Sequence, residues 1–372
     1  MPVPMMSCPN FPYPAGTHLF PSHEYVESYL VNYAHHYGLL PYIQFNHRVL
    51  NASWLGTPEA GHWNITFLDH RNETQYNTFE HLIVATGNNH IPRKPSWPGQ
   101  KEWLAETAGR NSTRREIIHS AWFRYPEKYS NKSILIVGDS ASGRDIAKQT
   151  APLVSKVRDC RVYAEPILIV LKSFISIRTN HDDQFIPVPP NVIRKPVISH
   201  FTRDSIVFVD KTEIDVDSVI LATGYQVRKP FLDAGHILAT DPTANSNNTK
   251  TEVLVCNTHY IFPLHRHIFS LSPMYPTTAL AFVGLPVAIA NCPSNTAQSI
   301  FIAHMLRNPG LLPSRKQMHY ELELQEQESR NLGVDPYVQG HRMPNANKSN
   351  DYQDELLDYL KVKVWRFRGY QI

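Results

Sequence analysis

"SILIVGDSASGRDIA", Ser133 to Ala147, decides how the rest of the chain is read. Ile134 to Val137 is an apolar run of strand length, Gly138 permits a tight turn, and a helix-like segment follows. Gly143 has no side chain, which lets that helix pack closely on the sheet. Ser140 stands where a dinucleotide-binding loop usually carries its middle glycine. The Ser142 hydroxyl and the free N–H groups of the first helical turn suit a phosphate, and the helix dipole favours the same charge. Gly138, Ser140, Ser142, Gly143, Arg144 and Asp145 therefore form a candidate nucleotide-binding set. A strand–helix turn in any α/β protein has the same local features, so the surroundings must decide. The loop also stands more than a third of the way along the chain, where a second nucleotide site would sit.

Outward from this loop, two apolar segments end in the same tripeptide. Ala85-Thr86-Gly87 closes "HLIVATG", and Ala222-Thr223-Gly224 closes "DSVILATG". Each reads as a buried strand that turns sharply at its glycine, so Thr86, Gly87, Thr223 and Gly224 are candidate cofactor contacts. "TTALAFVGLP" is a third such strand. Residues 22–38 predict an amphipathic helix capped by Ser22 and ended by Gly38, with Val26, Tyr29, Leu30, Tyr33, Ala34 and Tyr37 on one face. "HWNITFLD" alternates as a strand with Trp63, Ile65 and Phe67 on one face, and "SIVFVDKTEIDVDS" reads as a hairpin. A helix is expected from about Asn295 to Arg307, stopped by Asn308-Pro309-Gly310. The chain after 313 is polar with two helical stretches.

Composition removes several function classes. The chain has 372 residues, 42% hydrophobic and 19% charged, as expected of a globular protein with a substantial core. A formal net charge of +3 is too small to argue for nucleic acid or an anionic surface. The longest apolar run, 278–290, is broken by Gly284 and Pro286 and is too short to cross a bilayer. The N-terminus has no basic start and no apolar core, so no secretory signal is read there, and a cytoplasmic location is expected. Cys8, Cys160, Cys256 and Cys292 are far apart in sequence and form no C-x-x-C, so neither a zinc site nor a redox dithiol is expected. His35–His36 and His265–His267 lack the spacing of metal ligands and read as surface or satisfied core histidines.

The blocks "NFPYPAGTHLFPSHEYVESYL", "IVATGNNHIPRKPSWPG", "IIHSAWFR", "VGDSASGRDIA", "DSVILATGYQ" and "LAFVGLP" through "TAQSIF" occur in that order. Together they resemble the flavin-containing monooxygenases, particularly the fungal branch, from about Asn10 to Pro313. The resemblance implies an α/β fold of two Rossmann-like dinucleotide-binding domains, the NAD(P) domain (118–218) inserted into an FAD-type domain (1–117 and 219–330), followed by a polar helical tail (331–372). FAD and NADP are the cofactors it implies, with a small-molecule substrate and O2 as partners. The chemistry it implies is transfer of one oxygen to an amine nitrogen or sulfide sulfur through a C4a-hydroperoxyflavin. The protein then supplies orientation and exclusion of water rather than a nucleophile or general base. Val49, Thr86, Gly87 and Gln298 are the residues it implies near FAD, and His119 and Ser120 are motif residues that shape the NADP cleft or pack beside it.

Three departures from the family pattern stand out. The family opens with a flavin-type G-x-G-x-x-G in its first βαβ unit, whereas residues 1–45 contain only Gly16 and Gly38. The expectation is that this unit is missing and the chain N-terminally incomplete, lacking a central strand, the helix that receives the FAD pyrophosphate and the acid for its ribose. In the fingerprint F-x-G-x-x-x-H-x-x-x-(Y/F), His119 and Phe123 fit, while Thr113 and Arg115 occupy the Phe and Gly positions. Phe123, where ketone-oxidising Baeyer–Villiger relatives have Trp, leans towards nitrogen and sulfur oxygenation. Glu165 falls near the place of an Arg that reads the NADP 2′-phosphate, with Arg144, Arg161 and Lys172 as compensating cations. Two alternatives stay open: a nucleotide-binding remnant without oxygenase activity, and a Baeyer–Villiger type enzyme. A thioredoxin-reductase type is disfavoured by the absent C-x-x-C.

Overall fold

The apolar run 134–137 is the middle strand of a five-stranded parallel sheet in the computed structural model, which describes residues 2–106, 114–154, 173–176, 189–245 and 253–360. The chain divides into two compact units, one of Met1–Asn88 with Val227–Ile372 and the other of Asn89–Gln226. The second unit is thus inserted in sequence, with boundaries that lie outside the expected 118 and 218. Thr113, Arg161, Glu165 and Lys172 lie outside the described residues.

The first unit begins with α1 (Val3–Met6) and α2 (His23–His36). Ser22 stands at the α2 N-cap, but its side chain makes no capping hydrogen bond. Of the expected apolar face, Tyr29 is the residue fully buried, and Leu30 is 51% exposed. The tyrosines serve the preceding segment instead: the Tyr13 and Tyr29 rings stack with centroids 3.8 Å apart. An antiparallel meander follows, β1 (Arg48–Gly56), β2 (Gly61–Leu68) and β3 (Thr74–Phe79). Its alternation puts Trp63 and Ile65 inward, and Trp63 Nε1 donates to the Ala279 carbonyl at 2.7 Å. The strand expected before Gly87 is short, β4 (Leu82–Val84), and Ile83 is 45% exposed. Val84 on the other face is buried, so a sequence that reads as buried on both faces is covered on one.

The inserted unit opens with β5 (Ile91–Pro92), α3 (Gln100–Ala105), β6 (Glu116–His119), β7 (Ile134–Val137) and α4 (Ala141–Val154). It continues through β8 (Ser173–Ser176), β9 (Val192–Lys195), β10 (Ile198–Phe201), β11 (Ile206–Phe208), β12 (Glu213–Ile214), β13 (Ser218–Leu221) and β14 (Tyr225–Gln226). The parallel sheet has the order β6-β13-β7-β8-β9. Both faces of its centre are buried, which is why β7 and β13 read as unbroken apolar runs. Leu135, Val137, Val219 and Leu221 pack on one face with Trp103, Phe201 and Phe208. Ile134, Ile136 and Ile220 pack on the other with Ile146, Ala147 and Ala151 of α4. The hairpin read at 205–218 is present as β11 and β12, joined by β10 in a three-stranded antiparallel sheet.

The first unit resumes with α5 (Pro230–Ala234), β15 (Leu238–Thr240), β16 (Leu254–Cys256), β17 (Ile261–Phe262), β18 (Leu264–His265), β19 (Phe269–Ser270) and β20 (Leu280–Phe282). α6 (Asn291–Arg307), α7 (Arg315–Asn331), α8 (Pro336–Gln339) and α9 (Ala346–Tyr359) complete it. β4 pairs parallel with β20 in the sheet β18-β19-β20-β4. α6 starts four residues earlier than expected, with Asn291 and Cys292 in its first turn. The residues after 330 are integral to this unit rather than a tail, because α9 buries Tyr352, Leu356 and Leu357 among Phe301, Ile302 and Met305 of α6. Among the described residues no helix is long and apolar enough to cross a membrane, and no group of three metal-ligating side chains occurs.

Candidate functional site

Parallel strands end on the same side of their sheet, so three sequence-distant segments meet at one edge of the inserted unit. β7 ends at Gly138, β13 at Ala222-Thr223-Gly224 and β6 at His119-Ser120. Gly138 has φ +114, a conformation that favours glycine, and a side chain there would strike the Ala222 carbonyl. A Cβ on Gly143 would overlap the Gly138 carbonyl oxygen. The first turn of α4 is thereby drawn onto the end of β7. Arg144 N–H makes the first helical bond, to the Ser140 carbonyl at 3.0 Å. The N–H groups of Ala141, Ser142 and Gly143 precede it and have no helical acceptor. Ser140 to Ser142 are exposed. A glycine-lined strand–helix turn that presents exposed donors fits the pyrophosphate of a nicotinamide dinucleotide.

The charged members of the candidate set are placed differently. Arg144 Nε donates to Asp139 Oδ1 at 2.9 Å, and Arg194 of β9 lies 4.0 Å from the other oxygen of the same carboxylate. Asp139, which the sequence reading passed over, thus holds Arg144 and faces a second guanidinium. Its signal was an acid five residues before a base across a glycine turn. Asp145 is exposed and accepts from Gln149 Nε2 at 2.8 Å.

His119 is a buried clamp. Its Nδ1 accepts the Ala121 N–H at 3.1 Å, so the ring proton resides on Nε2, which donates to the Gly224 carbonyl at 2.9 Å. Burial holds its pKa below the usual histidine value, so the ring is neutral. Gly224, at φ +73, also accepts from Arg93 N–H at 2.9 Å, and Thr223 Oγ1 donates to the Arg93 carbonyl at 2.5 Å. These bonds fix the Ala-Thr-Gly turn with its hydroxyl facing the protein. Ser120 opens a single 3₁₀ turn that ends at Phe123, whose ring stacks on Tyr129.

The remaining candidates belong to the other unit. Thr86 and Gly87 are exposed at the end of β4, and Gly87 has φ +69. Lys229, which the sequence did not single out, is buried and donates to the Gly87 carbonyl at 2.6 Å and Asn88 Oδ1 at 3.3 Å. Burial pushes its ammonium down to about 8. Asn88 Nδ2 donates to the Gly284 carbonyl at 2.7 Å. Gln298 is buried with both ends of its amide used: Oε1 accepts Gly284 N–H at 2.9 Å and Nε2 donates to the Tyr352 hydroxyl at 2.8 Å. It shapes the turn at Gly284. Val49 is 41% exposed and lines a cavity of about 320 Å³ with Phe67, Phe79 and Leu82. The exposed glycine turn and apolar cavity suit the ring portions of a flavin nucleotide. A strand–glycine–helix cradle like that at 134–147 does not occur among the described residues of this unit.

A family model described as "FMO-like: Flavin-binding monooxygenase-like" matches residues 3–160 and 184–365. Flavin-containing monooxygenase FMO GS-OX-like 9 of Arabidopsis thaliana is 26% identical over 354 residues, which cover 93% of this chain and 67% of that protein. Senecionine N-oxygenase of Tyria jacobaeae is 28% identical over 287 residues, 76% of this chain and 52% of that one. The chain therefore spans between about half and two thirds of these relatives. The structure of S-allyl-L-cysteine S-oxygenase from Allium sativum is similar with a TM-score of 0.74 and 22% identity, covering 99% of this chain and 74% of that chain. At that identity the likeness shows the fold, two Rossmann-like regions in a mixed α/β chain.

Proposed function

Because the chain belongs to the flavin-binding monooxygenase-like family, whose members use FAD and NADPH, we propose that it is an NADPH- and FAD-dependent monooxygenase acting on a nitrogen- or sulfur-containing small molecule. The observation that carries the nucleotide part is the meeting of Gly138, Gly143 and the exposed Ser140–Ser142 turn with the ends of β6 and β13 at one sheet edge. The substrate class is supported by two similar proteins, an N-oxygenase and an S-oxygenase, and by Phe123 in the fingerprint.

In this reading the N–H groups of Ala141, Ser142 and Gly143 hold the pyrophosphate of NADP(H), with the Ser142 hydroxyl beside them. Gly143 lets the first turn of α4 sit against the Gly138 carbonyl, which sets where those N–H groups stand. His119 keeps its proton at Nε2 on the Gly224 carbonyl; it orients the neighbouring turn and does not shuttle protons, since both ring nitrogens are occupied. Lys229 holds the Gly87–Asn88 turn, beside which Thr86 and Val49 would meet the flavin nucleotide. When bound, the two cofactors supply hydride transfer and the reaction with O2. Arg144 and Arg194, around Asp139, are the described cations from which a 2′-phosphate contact would be drawn.

Calorimetric titration of NADPH and NADH into the wild type and Gly143→Val tests the nucleotide site. Unchanged affinity in a folded variant refutes it. Visible absorbance after desalting tests the flavin. A stoichiometric flavin supports the monooxygenase, whereas a colourless chain that still binds NADPH supports a nucleotide-binding protein without oxygenase activity.

A further inference from the structure

Two cysteines that are remote in sequence are neighbours in the fold. Cys8 lies in the segment after α1, Cys292 lies in the first turn of α6, and α1 packs beside α6. The two thiols are in side-chain contact. Both cysteines are half-buried, whereas Cys256 is buried. The backbone of Cys8 is held by Tyr29 and by Phe11, which are themselves bonded to each other. Its N–H donates to the Tyr29 hydroxyl at 2.7 Å, and that hydroxyl donates to the Phe11 carbonyl at 2.6 Å. Cys8 and Phe11 also form an antiparallel bridge. Burial, and then the adjacent Cys8 side chain, raise the Cys292 pKa, so its attack on Cys8 must release the thiol proton as the S–S bond forms.

We propose that Cys8 and Cys292 form a redox dithiol, closed to a disulfide by a hydroperoxide such as hydrogen peroxide and reopened by a thiol such as glutathione. In the first step the Cys8 sulfur takes one peroxide oxygen; an S–O bond forms, the O–O bond breaks, and the Cys8 thiol proton leaves with the departing hydroxide as one water. In the second the Cys292 sulfur attacks the Cys8 sulfur; the S–S bond forms, the S–O bond breaks, and the thiol proton leaves with the hydroxyl as a second water. The two thiols lose two electrons and two protons, and one peroxide becomes two waters. Closure fastens the segment before α2 to the first turn of α6. That helix carries Gln298, which holds the Gly284 turn, so the redox state of the pair bears on the same turn that Asn88 contacts.

The test uses the full chain. It is exposed to a small excess of hydrogen peroxide, blocked with iodoacetamide and digested without reduction, and peptides are identified by mass. A Cys8–Cys292 peptide pair lighter by two hydrogens is expected, reversed by glutathione and retained in Cys160→Ser and Cys256→Ser. Closure should be at least roughly tenfold faster in the native protein than in urea, because the fold supplies the proximity. That rate comparison needs no variant at either cysteine. Undiminished alkylation of both thiols after oxidation overturns the proposal. So does sulfinic acid on Cys8 without a cross-link, or equal closure rates in native and unfolded chains.

Discussion

Lys229 is 3% exposed, and among the described residues no carboxylate pairs with it. Its two acceptors, the Gly87 carbonyl and Asn88 Oδ1, are uncharged. Burial lowers its pKa from 10.5 to about 8. The unfolded chain therefore keeps this proton to a higher pH than the folded chain, and unfolding takes up a proton between those two values. Stability rises with pH across that window, and the penalty for charging the buried amine is fully present below pH 8. Integrated over a shift of this size, the penalty is ~3 kcal/mol at pH 7 and ~2 kcal/mol at pH 9, a relief of ~1.3 kcal/mol. Lys229→Met keeps the aliphatic length and removes the charge, while leaving two acceptors without a donor at a cost of ~1–3 kcal/mol. The variant should thus be near wild-type stability at pH 7 and lose ground to it as the pH rises. Urea unfolding of both proteins at pH 7, 8 and 9 reads this directly, since groups shared by the two cancel in the difference. A wild-type-minus-variant difference that stays flat within ~0.3 kcal/mol from pH 7 to 9 would refute the reasoning.

Gly143→Ala should weaken nicotinamide dinucleotide binding tenfold or more, about 1.4 kcal/mol, because the added methyl must displace the Gly138 carbonyl; calorimetry on the folded variant measures it. Arg115 is buried, donates to the Arg203 and Asp204 carbonyls and Asp215 Oδ1, and lies over the Trp103 ring. Arg115→Met should cost about 2–4 kcal/mol in urea unfolding, with a cost under about 0.5 kcal/mol contradicting the account. His267 is buried, with Nδ1 2.9 Å from Nδ1 of His341, and burial pushes it down from 6.5 to about 4. The unfolded chain binds that proton first on acidification, so stability is lost as pH falls from 6.5 towards 4, by ~3 kcal/mol for this residue. Melting temperatures from pH 7 to 5 should fall less steeply in His267→Gln than in the wild type.

Much of the inserted unit was legible because its signals are local. Ile134–Val137 and Ser218–Leu221 are short apolar runs bounded by glycine turns, and both are buried strands. The run ending at Gly87 looked the same but is half-exposed in β4, because burial depends on what packs over a strand's faces and not on its own residues. The α2 stripe misled for a similar reason. Helical spacing shows that one face is apolar but not what covers it, and here the cover is Phe11 and Tyr13. Candidate side chains named from motifs met the same limit. Thr223 in its turn, His119 at the end of β6 and Gln298 within α6 all have their polar atoms bonded within the protein.

By itself, then, the sequence determined the strand–glycine–helix at 134–147, the paired Ala-Thr-Gly turns and the family they resemble. Each rests on covalent geometry and solvation that act over a few residues. Tertiary structure alone decided that Trp63 meets Ala279, that Asn88 holds Gly284, that Lys229 is buried against the Gly87 carbonyl and that Cys8 touches Cys292. Those contacts join residues far apart in the chain. They form only where close packing of the whole unit brings them together, and no short-range pattern encodes that.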